Sequence, residues 1–421
     1  MKEILKTSII FFLLSVFAFS SAHAEVGDGD LLSKPKRIFE FGVDSNTVFA
    51  NSSFGLQDFL KKNLVIDLQK IAKDMPKDGF SLGFHNKETV FANLNVSSRF
   101  RFGIFTEVEA NSHFNISKDL FDLLADGLRV GESKTVDATG YADVFFNIGA
   151  SFQTIINNYG VKITPTYFVP LVYVPKTKAS ASITTTENGL IKGEAEANVD
   201  IYTAINMHDF MEDKKTIDNL DLNASRILSN GGFDLSLELE RNWFHNFNAG
   251  LYTRIPVLPG KLNYKMSTRV WANFYEANVL GYLDNTESHT SDHGHDDFTY
   301  SEETHKAYRP LRLGLNATYM PFGNWLKIQP QLGFAVRNPY SSDSIFYMEY
   351  ALDLRLSLLW RIFNFNVGTA YQNQVFQHRA GFSLNFRAVE ILAQASLCGT
   401  NLPASFKGDG YGAFVGVRMG F

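Results

Sequence analysis

The chain contains a single cysteine, Cys398, in 421 residues. That excludes a disulfide framework and any zinc site built on several thiolates. Charge is sparse as well: 20% of residues are charged, 39 basic against 44 acidic, for a formal net charge of −5. So slight an acidic excess gives no basic footprint for nucleic acid, and no such partner is expected. Beyond residue 24 there is no run of about 18 or more apolar residues, so no helix is expected to cross a membrane. The mean hydropathy of −0.10 is too polar for a helical membrane bundle. What is abundant is aromatic surface, with 38 Phe, 17 Tyr and 4 Trp in a chain that is 45% hydrophobic. A disordered chain could not keep so much apolar surface in water.

Residues 1–24 have the layout of a secretory signal. Lys2 and Lys6 supply positive charge, Ile9 to Phe19 form the apolar core, and Ala22-His23-Ala24 places small residues at a cleavage site. The core is too short to span a membrane as a helix. An exported chain without membrane helices is either soluble outside the cytoplasm or crosses a membrane as a closed barrel.

Hydrophobicity with a period of two decides between these, since alternate residues of a strand face opposite sides. Tyr411, Ala413, Val415, Val417, Met419 and Phe421 share one face, and Gly412, Phe414, Gly416 and Arg418 the other. Phe346, Met348, Tyr350, Leu352, Leu354, Leu356 and Leu358 likewise oppose Tyr347, Glu349, Ala351, Asp353, Arg355 and Ser357. Such long strands, with aromatic ends, predict an all-β transmembrane antiparallel barrel: an apolar band outside, a polar lumen inside. Candidate strands include 37–49, 79–86, 89–109, 137–157, 159–174, 178–186 and 190–206, continuing to 410–421. Single-chain bacterial barrels have even strand numbers, so about 14 strands are expected, with 16 as the alternative. The polar stretch 178–206 reads as one strand or as a hairpin standing off the barrel.

Two segments follow a helical period instead. Residues 54–75 place Leu56, Phe59, Leu60, Leu64, Leu68 and Ile71 on one face, and Pro76 ends the run. A second helix is predicted near 118–130, with Ser117 as its N-cap.

Inward positions carry both signs of charge, among them Arg99, Arg101, Glu107, Glu109, Asp234, Arg312, Glu349, Asp353, Arg379 and Arg418. This mixture predicts a lumen braced by ion pairs rather than a filter of one sign. Between strands, the 282–306 stretch is rich in His and acids. His289, His293 and His295 are candidate metal ligands there, although a loop must pay ordering entropy to bind. No G-x-S-x-G elbow or H-E-x-x-H helix occurs, so an enzyme is not expected and no cofactor is called for.

A chain ending on an alternating strand with a final Phe resembles bacterial outer-membrane proteins. The resemblance implies the outer membrane as location, with its lipid and the barrel-assembly machinery as partners, the latter through the C-terminal strand. The order signal, strand, helix, strand pair, then Ile116 to Gly127 before further strands resembles an uncharacterised family of outer-membrane barrels from spirochaetes and Bacteroidetes. In architecture that family is similar to the long-chain fatty-acid channels, which implies about 14 strands, a luminal plug and helical loop elements. The channels' own motifs are absent, and residues 25–36 are short for a hatch. The expectation is a plugged channel for hydrophobic small molecules such as long-chain fatty acids. Phe59 and Leu60 on the first helix and the inward Phe105, Phe145 and Phe414 are the candidate binding residues. A general diffusion porin, or a structural or adhesive surface protein acting through 282–306, is the alternative.

Overall fold

The computed structural model describes residues 31–33, 37–53, 68–187, 191–208, 224–277, 291–359 and 362–421. The signal segment, Phe59, Leu60 and His289 lie outside the described residues.

Alternation produces long antiparallel strands: β1 (Phe39–Asn51), β2 (Phe80–Asn95), β3 (Phe100–Ile116), β4 (Ser133–Ile156), β5 (Tyr159–Thr185) and β6 (Ile191–Thr203). Then come β7 (Gly232–Phe244), β8 (Phe247–Leu258), β9 (Gly260–Ala277), β10 (Ser291–His295), β11 (Thr299–Ala307) and β12 (Leu311–Tyr319). The last six are β13 (Leu326–Arg337), β14 (Ile345–Leu358), β15 (Phe363–Gln372), β16 (Val375–Phe386), β17 (Val389–Gly399) and β18 (Gly410–Gly420). A ring of 14 closes, running β1 to β5, then β7, β8 and β12 to β18. The closing pair is β1 with β18, in register from Glu40↔Gly420 to Phe49↔Tyr411.

The other strands, β6, β9, β10 and β11, form a sheet that projects beyond the ring. β5 makes the transition. Its residues 159–168 pair with β7, and its far half pairs with β6 from Val172 onward. Pro170 and Pro175 fall at this change of partner, where a missing N–H removes a ladder bond. The sequence reading divided this strand in two; it is one strand of 27 residues.

Three further expectations are corrected. The turn placed near residues 87–88 lies instead at 96–99, because His85 and Lys87 face the lumen while Asn86 and Glu88 face outward, so polarity on both faces mimics a turn. Arg99 sits exposed in that turn rather than in the lumen. The segment read as a loop at 282–306 contains β10 and β11, both paired with β9. β11 is exposed along most of its length, so it lacks the alternation that marks a strand with one buried face.

Connections between ring strands are short at the end where β1 begins and β18 finishes, and mostly long at the other. In single-chain barrels the short turns are periplasmic and the long loops extracellular. The helix Lys118–Asp126 therefore lies at the outer end, packed with the described part of the first helix, Leu68–Asp74. Gly127 ends the longer helix with φ 70, its N–H donating to the Leu123 carbonyl at 2.9 Å. Ser117 stands at its start without capping it; its hydroxyl accepts instead from the Asp137 N–H at 3.0 Å.

The two faces of the wall separate as alternation requires. Val415, Val417 and Leu352 are exposed on the outside, while Glu349, Ala351 and Phe414 are buried within. With an apolar exterior and closed backbone bonding, this is an outer-membrane β-barrel. Val415→Arg or Leu352→Arg should each destabilise it by about 2–4 kcal/mol at mid-bilayer depth, and the lumen-facing Gln331→Arg by much less. Denaturant unfolding of the refolded protein in lipid measures all three, and equal losses would mean that the faces are misassigned.

Candidate functional site

Across the middle of the lumen runs a connected layer of buried polar side chains. Its centre is Arg309, which comes not from a strand but from the connection between β11 and β12. Its Nη1 meets Asp234 of β7 at 2.9 Å, and its Nη2 meets Glu109 at 2.9 Å and Glu107 at 3.2 Å, both on β3. One guanidinium thus ties together distant parts of the wall. Lys87 holds the other oxygen of Glu107 at 2.9 Å, and Asn147 donates to the first at 2.9 Å.

The layer continues outward from Glu109. Asn111 donates to Glu109 at 3.1 Å and to Asp143 at 3.2 Å, and its amide oxygen lies 2.7 Å from His85 Nδ1. Asp143 receives Arg337 Nε at 2.7 Å, and the Arg337 guanidinium is stacked on the Tyr141 and Tyr173 rings. From the opposite wall, Arg312 reaches Asn373 at 2.8 Å, and Asn373 stands 3.1 Å from His85. Asn373 and Gln374 form the two-residue β15–β16 turn with φ of 49 and 63. Left-handed backbone at both positions suits a tight hairpin, and it brings Gln374 to the Tyr141 hydroxyl at 2.5 Å. The layer is a septum bonded from wall to wall.

On the outer side of the septum, where the projecting sheet leaves the ring, Phe145, Phe168, Tyr173, Tyr202 and Leu262 form a buried apolar cluster. His305 lies between the rings of Tyr173 and Tyr202, at 4.9 and 4.2 Å. Burial pushes its imidazole below the ordinary histidine range, against the opposite pull of Asp343 and Glu303.

On the inner side is a cavity of about 630 Å3, in the half of the lumen nearer the short turns. Nine basic and six acidic side chains line it, with Phe91, Phe105 and Phe414 among its apolar wall. The segment Leu31–Ser33 enters this space. Leu31 donates its N–H to Glu240 at 2.5 Å, its carbonyl accepts from Gln153 at 2.6 Å, and Arg101 donates to the Ser33 carbonyl. Residues 25–36 looked too short for a hatch, yet part of that stretch occupies the lumen.

The predicted site residues therefore separate. Phe105 and Phe414 share the cavity, whereas Phe145 belongs to the apolar cluster beyond the septum, its ring 5.7 Å from Phe168. The Phe105 ring lies across Gly149, where any Cβ would collide with it, so its pose is fixed by the wall. His293 and His295 stand on β10 opposite Ala272 and Val270. Among the described residues no group of three or more potential metal ligands gathers. His378 Nε2 and Ser405 Oγ are 2.9 Å apart on the outer wall, but Ser405 is fully buried and its hydroxyl donates to the Leu402 carbonyl, so the pair serves to pin a short helix to β16. Arg309, Arg337 and Asp143 escaped the sequence reading. Arg309 lies between strands, Arg337 is the last residue of β13, and Asp143 sits between two register shifts of β4 against β5, where alternation is broken.

No family model and no curated protein matches the chain. Solved barrels are similar in overall form. The toluene transporter TodX of Pseudomonas putida is 10% identical, with 96% of each chain covered and a TM-score of 0.41. The Ralstonia pickettii toluene transporter TbuX is 8% identical over 96% of this chain and 97% of its own, with a TM-score of 0.41. The translocator domain of the Neisseria meningitidis autotransporter NalP is 8% identical over 91% and 88%, with a TM-score of 0.33. Likeness this slight carries no argument about activity, and the resemblance to spirochaete and Bacteroidetes barrels finds no support in it.

Removing the central cation should be costly. Arg309→Ala leaves Glu107, Glu109 and Asp234 buried around a missing partner, and a loss of about 3–5 kcal/mol is expected. Unfolding of the refolded protein in lipid measures it, and Arg309→Lys should recover only part because a lysine cannot fork among three carboxylates.

Proposed function

We propose that the protein is a plugged outer-membrane channel that takes up hydrophobic small molecules bearing an anionic head, long-chain fatty acids among them. The cavity below the septum carries this reading: lysine and arginine side chains, Lys87, Arg101 and Arg355 among them, stand beside the rings of Phe91, Phe105 and Phe414. A carboxylate head can take up a place beside those cations, and an acyl chain finds apolar wall next to it. Leu31–Ser33 supports the plug, since it is held in the same space by a handful of hydrogen bonds that a ligand could replace. A general diffusion porin needs a continuous water path, and the buried septum opposes one. The activity proposed is transport and not catalysis.

Single-channel recording of the refolded protein in a planar bilayer, paired with fatty-acid binding, tests the proposal. The barrel should be electrically silent and should bind a medium- or long-chain fatty acid saturably. The methyl ester of that acid should bind roughly tenfold more weakly for loss of the charge. Phe105→Glu and Phe414→Glu should each weaken binding as well. A steady open current, or equal affinity for acid and ester, would overturn it.

A further inference from the structure

One side chain of the cavity wall ends in a polar atom that the protein itself does not answer. Tyr252 of β8 is 4% exposed and lines the cavity, yet its hydroxyl has no hydrogen-bond partner among the described residues. The next two strands make room for it. Gly314 of β12 stands directly opposite Tyr252, and Gly333 of β13 directly opposite Gly314. A Cβ on either glycine would collide with Tyr252 Oη, so the ring lies over the inner face of both strands and carries its hydroxyl two strands from its own backbone. A buried phenol usually finds a partner, and leaving it without one costs free energy. Two glycines in strand interiors, where they weaken a sheet, add to that cost.

Two arginines stand beside this tyrosine. Arg254, two residues further along the same face of β8, is directly opposite Arg312 of β12, and both line the cavity. Like charges directly opposite on neighbouring strands repel. The nearby acids are engaged: Glu349 lies 3.4 Å from Arg312 Nε, and Glu238, opposite Tyr252 on β7, is held by Lys162 at 3.1 Å. We propose that Tyr252, Arg254 and Arg312 form the seat for the carboxylate head of the transported molecule, an inference that rests on the channel reading above. The two oxygens of a carboxylate accept several hydrogen bonds, enough for the Tyr252 O–H and for an N–H of each guanidinium. Such a head also places negative charge between two like charges. A neutral ligand can accept from the phenol but leaves the arginine pair as it was. The seat lies against the septum, to which Arg312 belongs, and the acyl chain is left with the rings of Phe91, Phe105 and Phe414 in the same cavity.

Saturation binding of a medium-chain fatty acid and of its methyl ester to the refolded full chain tests the seat. Tyr252→Phe removes one oxygen and keeps the ring. Affinity for the acid should fall roughly tenfold, the scale of a hydrogen bond to a charged group, and affinity for the ester by no more than about twofold. Without ligand, this variant should unfold at the wild-type denaturant midpoint or above it, because it loses a buried hydroxyl that had no partner. Arg254→Gln, checked for folding by heat-modifiable gel migration, should bring affinity for the acid down to that for the ester. Acid binding unchanged in either folded variant, or an equal loss for acid and ester in Tyr252→Phe, would overturn the seat and leave the channel reading standing. A lowered midpoint for Tyr252→Phe would overturn it too, by showing that the hydroxyl serves the fold. Failure of the wild type to bind the acid at all would overturn both the seat and the channel reading.

Discussion

Everything in this barrel depends on the absence of water in the hydrocarbon layer. A backbone N–H or C=O left unpaired there costs several kcal/mol, so no strand edge can remain open. The pairing of β1 with β18 removes the last edges, and Ile38 extends it by donating to the Phe421 carbonyl at 2.6 Å. Closure in turn forces two faces on every ring strand, one for lipid and one for the lumen. What fills the lumen is then a question of polar chemistry and not of apolar packing.

The septum is the answer this chain has reached. Glu107 and Glu109 on β3, Asp143 on β4 and Asp234 on β7 are buried and need cations with several donors. Arginine suits that role because its planar fork can serve more than one carboxylate. Arg309 reaches in from a connection, and Arg312 and Arg337 reach away from their own strands, so the layer braces the ring across its diameter. A buried ionic layer of this kind is weak as a source of stability but severe when broken. It defines which arrangement of the lumen is allowed, and it leaves the cavity facing the short turns as the accessible space.

Much of this architecture is legible in the residues. The runs at 345–358 and 410–420 show their two faces directly, and inward Glu107, Glu109, Asp234 and Arg312 are visible as polar positions in apolar rhythm. The 14-strand ring follows once 178–206 is allowed to stand off it. Other features leave no period to read. Arg309 acts from a connection, Asn373 and Gln374 from a turn, and the contact of the Phe105 ring with Gly149 joins residues on different strands. β11 is hidden for a different reason: it is exposed along most of its length and so shows no hydrophobic alternation.

The misplaced turn near residues 87–88 has its physical origin in polar residues on both faces of β2. A ring strand should be apolar on one face, and β2 breaks this rule where Asn86 and Glu88 project outward between lumen-facing His85, Lys87 and Thr89. A local break in a consistent pattern is most informative when the surrounding structure does not relax around it. Here the register of β2 with β1 and β3 runs unbroken through the polar stretch, so the fold keeps Glu88 on the outer face instead of bulging it away. A strand that could have carried valine at that position without altering a single backbone bond carries an acid with its own hydrogen-bonding neighbours. The outer wall is thereby distinguished at one place by the same kind of polar chemistry that spans the lumen within.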